Sequence, residues 1–282
     1  MTVGVFDKRP CSLGEGPLWH PLRKQLFWFD INNKKMLSRI GDTPLEWQFD
    51  EHVSAAGWIS ENQLLIASET ELFTFDIETQ ARHHIHPLEA ENPITRSNDG
   101  RADPWGGFWI GTMGKHAEQD AGAIYRFFKG TLELLYSDIT ISNSICFSPD
   151  RRFAYYTDTP TKQIMRQALD HEGWPEGSSE VFIDLNEEDL NPDGSVVDAE
   201  GCLWNAQWGA SRVARYSPEG QFLTAVSFPA LQTSCPAFGG KDLQTLFVTT
   251  ASESLTSPST DQGRTYFQTL DIQGQSEHQV IL

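Results

Sequence analysis

The feature that most constrains the fold is a pattern that the sequence repeats six times. An apolar run is followed by a tight turn and then by a second apolar run that ends in aromatic residues. The turns are marked at Pro21, Glu61, Pro104, Pro149, Ala199 and Gly240, with spacings of 40, 43, 45, 50 and 41 residues. Most turns are followed by a further hairpin in which apolar and polar residues alternate, which is typical of strands with one solvated face. Six units of four short strands predict an all-β, six-bladed β-propeller with four-stranded antiparallel blades around a central channel.

No linker or change of composition divides the chain, so we expect residues 1–282 to form a single domain. Both ends are apolar, and we expect residues 3–6 to pair with residues 279–282 so that the two ends close one blade. In a closed ring of blades, only short and protected sheet edges are left open to other chains. Hardly any segment has a period of 3.6 residues, so helix is expected at most for a turn or two near residues 186–190.

Charge and cysteine usage restrict the partners and the compartment. The chain carries 21 basic and 39 acidic residues, a formal net charge of −18 that repels nucleic acids and anionic membranes. The sequence has no apolar run long enough for a transmembrane helix and no apolar stretch typical of a signal peptide near its start. The four cysteines are scattered and form no CxxC motif, which favours a reducing compartment. We therefore expect a cytoplasmic protein, a monomer or weak dimer, without nucleic-acid or membrane partners.

One position of the repeat carries a carboxylate or an amide in four of the six units. Counting six residues back from each turn marker gives Glu15, Ala55, Asn98, Asn143, Asp193 and Ser234. The innermost strands of a propeller line its channel, so these positions are expected to form a ring. A single Asn or Asp where a strand begins is usually a turn former, but four oxygen-bearing side chains in register favour a functional site. Glu15, Asn143 and Asp193 suit a hard cation such as Ca²⁺, and Arg96 is an isolated cation beside them.

Five short motifs link the chain to a known family. They are Gly14–Trp19, Arg96–Gly100, Gly111–Met113, Ile141–Ser144, and Pro192–Gly194 followed by Asp198–Trp204. In this order and spacing the chain resembles, over essentially its whole length, the lactonase family of six-bladed propellers that contains gluconolactonase and regucalcin.

The resemblance implies one divalent metal at the end of the channel, with calcium favoured and zinc, magnesium or manganese as alternatives. The ligands it implies are Glu15, Asn143 and Asp193. It also implies substrate contacts from Arg96 and Asn98, and a role for Asp193 as the catalytic acid/base.

The expected reaction is hydrolysis of a sugar lactone to the aldonic acid, in which the cation polarises the carbonyl and Asp193 takes a proton from the attacking water. One departure concerns specificity. Some relatives have acidic residues after the Gly-Thr-Met motif, whereas this chain has Gly114, Lys115 and His116. His116 is a candidate substrate contact, and Trp105 and Trp208 are candidates for flanking the mouth. Two alternatives stay open: a metal-dependent phosphotriesterase-like hydrolase and a non-catalytic calcium-binding propeller.

Overall fold

The computed structural model describes residues 3–282, and strands dominate them. Within these residues, 24 strands form six four-stranded antiparallel sheets. Blades 1 to 3 consist of β2 (Gly14–His20), β3 (Gln25–Asp30), β4 (Lys35–Ile40), β5 (Thr43–Gln48); β6 (Val53–Trp58), β7 (Gln63–Ser68), β8 (Glu71–Asp76), β9 (Arg82–Pro87); β10 (Thr95–Ala102), β11 (Phe108–Gly114), β12 (Gly122–Phe128), β13 (Thr131–Ile139).

The second half of the chain continues the same order. Blades 4 to 6 consist of β14 (Ser142–Phe147), β15 (Phe153–Asp158), β16 (Gln163–Ala168), β17 (Glu180–Asp184); β18 (Asn191–Val197), β19 (Leu203–Trp208), β20 (Arg212–Tyr216), β21 (Phe222–Ser227); β22 (Gln232–Gly239), β23 (Thr245–Ala251), β24 (Thr265–Thr269), β1 (Gly4–Asp7). The prediction of a six-bladed propeller is confirmed. All six turn markers lie between the first and second strands of their blades.

The core lies between the blades, where aromatic residues of the second strands are buried. Trp28, Trp109 and Trp204 occupy β3, β11 and β19 and are almost completely inaccessible to solvent. The recurrence of tryptophan in the repeat therefore serves packing, because each ring removes a large apolar area from water.

The ring closes through the N-terminal strand alone. β1 pairs with β24, with Gly4 opposite Phe267, and so forms the outermost strand of blade 6. The expected pairing of residues 3–6 with residues 279–282 is wrong. Val280 is instead buried in the apolar cluster between blades 2 and 3, and its N–H donates to the carbonyl of Trp58. Val280 is thus buried while Ile281 and Leu282 are exposed, and β1 supplies the hydrogen-bond partners for the outer edge of β24.

Helix is confined to very short segments. Thr159–Thr161 form one 3₁₀ turn, and the segment 186–190 that was expected to be helical contains a hydrogen-bonded turn at residues 186–189. No helix within residues 3–282 is both long and apolar enough to cross a membrane.

Each innermost strand contains a register shift that helps to position the site. The pairing shifts between Glu15 and Leu18 in β2, between Asn143 and Cys146 in β14, and between Pro192 and Ser195 in β18. β6, β10 and β22 shift at corresponding places. A bulge bends the strand and redirects its side chains, and the four shifts in β2, β10, β14 and β18 lie at Glu15, Asn98, Asn143 and Asp193, which face one end of the channel.

Candidate functional site

A cavity of about 390 Å³ opens at the end of the channel where the innermost strands begin. All six site residues predicted from the sequence line it: Glu15, Arg96, Asn98, His116, Asn143 and Asp193. The other two ring positions do not. Ala55 packs into the core between blades 2 and 3, and the Ser234 hydroxyl donates to the carbonyl of Gly14. The structure thus brings the predicted residues together, while their roles stay predictions.

Glu15 is held in place by its own strand bulge. It is 5% exposed, and the N–H of Gly16 donates to Glu15 Oε2 at 3.1 Å. Gly16 has φ +54°, and a Cβ there would meet the carbonyl oxygen of Ser54 at 2.1 Å, so only glycine fits. Burial, followed by the charge of Asp99, raises the pKa of Glu15 to about 8.

Asp193 is equally buried, and its main chain is fixed both from the neighbouring blade and from the next strand of its own blade. Its carbonyl accepts hydrogen bonds from Ser144 Oγ at 2.5 Å and from Asn205 Nδ2 at 3.0 Å. Ser144 has φ +62°, a left-handed conformation that is strained for a non-glycine residue and that clusters at functional sites. Burial, followed by the charge of Glu15, raises the pKa of Asp193 well above its ordinary value.

The two carboxylates lack a direct counter-charge. Among residues 3–282, no lysine, arginine or histidine forms an ion pair with Glu15 or Asp193. Buried charges are normally paired or bound to a metal, because an isolated charge is costly to remove from water. Glu15 and Asp193 are therefore unusual, since two carboxyl groups are buried close together without an ion-pair partner.

The amides and Arg96 form a connected network beside the carboxylates. Arg96 Nη1 donates to Asn98 Oδ1 at 2.8 Å, and Asn98 Nδ2 donates to Asn143 Oδ1 at 3.2 Å and to the carbonyl of Ser142 at 2.8 Å. Asn143 Nδ2 in turn donates to Thr159 Oγ1 at 3.0 Å. These bonds direct the Asn143 oxygen to a fixed position. Burial lowers the pKa of Arg96 to about 10, so the guanidinium remains charged at neutral pH.

The cavity also contains residues that sequence reasoning did not assign to it. Lys115 lines it and forms an ion pair with Glu69, whose other oxygen is 2.6 Å from His52 Nδ1. Glu253 lines it as well and accepts a hydrogen bond from Asn32 Nδ2 at 2.8 Å. The sequence drew attention to Lys115, because it follows the Gly-Thr-Met motif at a place where some relatives have acidic residues. Glu253 gave none, because it lies in an irregular segment outside the repeat.

The two tryptophans expected to flank the mouth differ. Trp208 lines the cavity, whereas the lining does not include Trp105, whose Nε1 donates to the carbonyl of His171 at 2.9 Å. The expectation for Trp105 is therefore wrong: its indole lies in the turn between β10 and β11, with the Arg126 guanidinium 6.0 Å from its ring centroid, whereas Trp208 borders the cavity.

A second acidic group, on blade 5, has the composition of a metal site. Ligand atoms of Asp198, Glu200 and Cys202 lie within 4.8 Å of one another. However, Asp198 Oδ2 accepts from Arg215 Nε and Trp204 Nε1, and Oδ1 accepts from the N–H groups of Glu200 and Cys202, all at 2.9 Å. Glu200 pairs with Arg215 as well. A cation there would have to displace the guanidinium, so we do not consider this group a candidate site.

The fold and the cavity define a six-bladed propeller with a buried acidic site for a small molecule at one end of its channel. The chain belongs to the SMP-30/gluconolactonase/LRE-like family, and the match spans residues 13–252. The family resemblance inferred from the motifs is thereby confirmed.

Three similar proteins illustrate the family. The crystal structure of a calcium-binding protein, regucalcin, from Agrobacterium tumefaciens has a TM-score of 0.95 and 39% sequence identity, covering 99% of this chain and 97% of that one. L-arabinolactonase of Azospirillum brasilense is 36% identical over 86% of this chain and 82% of its own length. 6-deoxy-6-sulfogluconolactonase of Pseudomonas putida is 32% identical over 90% and 88%.

Proposed function

We propose that the protein is a hydrolase that opens a sugar lactone to the corresponding aldonic acid. The family and the lactonases among its relatives support this proposal. The observation that carries it is the pair of buried carboxylates, Glu15 and Asp193, which form no ion pair within residues 3–282, in a cavity of about 390 Å³. That volume is typical of small-molecule sites, and the lining combines apolar residues with a few convergent polar groups.

The donor set fits one divalent cation. Glu15 and Asp193 offer carboxylate oxygens and Asn143 offers an amide oxygen, which are the ligands that Ca²⁺ prefers. A cation would also compensate the two buried charges. We therefore favour calcium, since the similar regucalcin of Agrobacterium tumefaciens is a calcium-binding protein, and keep zinc, magnesium and manganese as alternatives. Bound there, a divalent cation would polarise the lactone carbonyl and make a water more acidic.

Asp193 is proposed as the acid/base. Its carboxylate would take the proton of the water whose oxygen attacks the carbonyl carbon, and would then give that proton to the ring oxygen when the ester bond breaks. Water is the added reactant, and the product is the ring-opened acid. The raised pKa of Asp193 in the protein without a cation is consistent with a site that favours a positive charge beside it.

Arg96, Asn98 and His116 are proposed to orient the sugar. Only Nη1 of Arg96 donates within residues 3–282, so its remaining N–H groups are available to ring and hydroxyl oxygens. Both amide hydrogens of Asn98 are used, and its oxygen can accept one further hydroxyl. His116 borders the cavity, and its main-chain N–H donates to Glu118 Oε2 at 3.0 Å. Correct orientation can lower the barrier by about 7–11 kcal/mol in the best-oriented systems.

The test is a panel of aldonolactones in a pH-stat, with the protein stripped of cations and each candidate cation then added singly. We expect acid release that depends on the cation. Failure to open any aldonolactone with any of the four cations would contradict the proposal. An aryl phosphotriester in the same panel tests the phosphotriesterase alternative, and calcium binding without turnover would favour the non-catalytic one.

A further inference from the structure

The C-terminal tail, residues 270–281, crosses the end of the channel opposite to the cavity. The N–H of Ala199 donates to the carbonyl of Gln273, and Gln275 Nε2 donates to the carbonyls of Phe147 and Val197. Near its end, the N–H of Ile281 donates to the carbonyl of Gly106. These partners lie at the ends of the innermost strands or in the turns that follow, whereas the cavity lies where those strands begin. The tail is thus the floor of the channel.

A buried ion pair connects this floor to the channel interior. Arg101 Nη1 of β10 contacts Glu277 Oε1 of the tail, and the two side chains are only 9% and 7% exposed. Glu277 is fixed in addition by its main chain, because its carbonyl accepts from Trp58 Nε1 at 2.9 Å. A pair this well shielded from water restrains both partners.

Arg101 also reaches the two blades that carry Asn143 and Asp193. Its Nε donates to the carbonyl of Ile145 at 3.3 Å, and its Nη2 donates to the carbonyl of Ser195 at 3.4 Å. Ile145 follows Asn143 by two residues, and Ser195 follows Asp193 by two residues.

The carbonyls of Ile145 and Ser195 lie at the register shifts of β14 and β18, where regular hydrogen bonds between strands are interrupted. The register of β14 shifts between Asn143 and Cys146, so main-chain groups there lack regular ladder bonds. Arg101 Nε donates to the Ile145 carbonyl, and Asp99 Oδ2 accepts from the Ile145 N–H at 2.7 Å. Two side chains of β10 therefore hold one peptide residue of β14 on both sides.

We propose that the C-terminal tail is a positioning element for the site: Glu277 fixes Arg101, which fixes the strand bulges that carry Asn143 and Asp193. The inference rests on the proposed function, because it assigns the tail a purpose through the roles of those two residues. Glu277 is a positioning residue, since it lies at the far end of the channel and acts through Arg101.

The test compares Glu277→Gln with Glu180→Gln. Glu180 pairs with Arg166 in the exposed outer strand β17, so the control removes a carboxylate from an Arg–Glu pair that lies away from the channel. Calcium affinity of the folded protein is measured by calorimetry at about 20 °C, beside kcat and KM for a lactone that the unmodified chain hydrolyses. Residues that orient metal ligands typically change affinity by about 10–100-fold, so we expect at least about a tenfold loss for Glu277→Gln, with a fall in kcat, and less than about twofold for the control.

Partial recovery in Glu277→Asp, which keeps the charge, would separate positioning from mere stabilisation. A purely structural role would lower the melting temperature and leave calcium affinity of the folded protein unchanged, and that result would overturn the inference. If Glu277→Gln does not fold, the double variant Arg101→Met/Glu277→Met decides, because an apolar pair replaces both charges. It should fold and bind calcium weakly, whereas wild-type affinity would contradict the proposal. Absence of turnover in the unmodified chain with any of the four cations would instead refute the proposed function.

Discussion

The protein contains two acidic clusters of similar composition, and their surroundings give them opposite properties. Asp198 and Glu200 surround the guanidinium of Arg215, and both oxygens of Asp198 accept hydrogen bonds. Glu15 and Asp193 face a cavity and form no ion pair within the described residues, and burial raises the pKa of each. We therefore expect a cation to bind where carboxylates lack charged partners, because carboxylates already paired with a guanidinium do not need one. Changing one cluster at a time tests this contrast.

The largest contrast concerns activity. Asp193→Asn should lower lactone hydrolysis by about 10²–10⁴-fold, because the variant cannot accept the proton of the attacking water. The rate per folded molecule should be unchanged in Asp198→Asn, which leaves the cavity intact. Initial rates in a pH-stat, normalised to the folded fraction from circular dichroism, measure both. Equal losses in the two variants would show that the contrast between the clusters has no functional meaning.

Stability should show the reverse order. Asp198→Asn leaves the half-buried Arg215 with only the exposed Glu200 as a charged partner, and loss of hydrogen bonds to a charged group costs about 1.5–3 kcal/mol of unfolding free energy. Asp193→Asn removes a carboxyl group that is buried without an ion-pair partner, and should leave the cation-free protein as stable as before or more stable. Urea denaturation of both variants without cations checks this. A cation-free Asp193→Asn protein less stable than wild type would contradict it.

Calcium affinity should respond to a change in the Glu15/Asp193 cluster and not to one in the Asp198/Glu200 cluster. Glu15→Gln should weaken calcium binding by about 10–100-fold, whereas Glu200→Gln, a matched change in the exposed half of the other cluster, should have no effect. Calorimetric titration of the two variants side by side gives the answer. A loss of affinity in Glu200→Gln would place the cation on blade 5 instead.

The smallest expected effect is a pH dependence confined to the cation-free protein. The pKa of Glu15 is about 8 in the fold, against an ordinary value of 4.5, so the folded state holds a proton that the unfolded state has lost between these pH values. Stability from this group is complete below about pH 4.5 and declines as pH rises towards 8. Urea denaturation at about pH 5.5 and about pH 8.5 should show the decline without calcium, and added calcium should reduce it. Glu15→Gln is the control. A smaller change of its unfolding free energy with pH would identify the Glu15 carboxyl as the titrating group.

The fold could be predicted because its signals are local. Turn residues and a period of two recur in each unit, so six blades and the positions that begin each innermost strand follow from counting along the sequence. The same count predicted that Glu15, Asn143 and Asp193 lie together, and in the structure they line one cavity. The tail could not be predicted, because Gln275 and Glu277 lie outside the repeat and contact residues that are distant in the sequence. Lys115 with Glu69, and Glu253, depend on irregular segments in the same way.

The comparison of the two clusters reduces to where one cation binds. Calcium titrated into the stripped protein, with bound calcium counted after dialysis, measures this directly in wild type, Asp193→Asn and Asp198→Asn. We predict one tightly bound ion per chain in wild type and Asp198→Asn, and its loss in Asp193→Asn. Retention of the ion in Asp193→Asn, or no bound ion in wild type, would contradict the account.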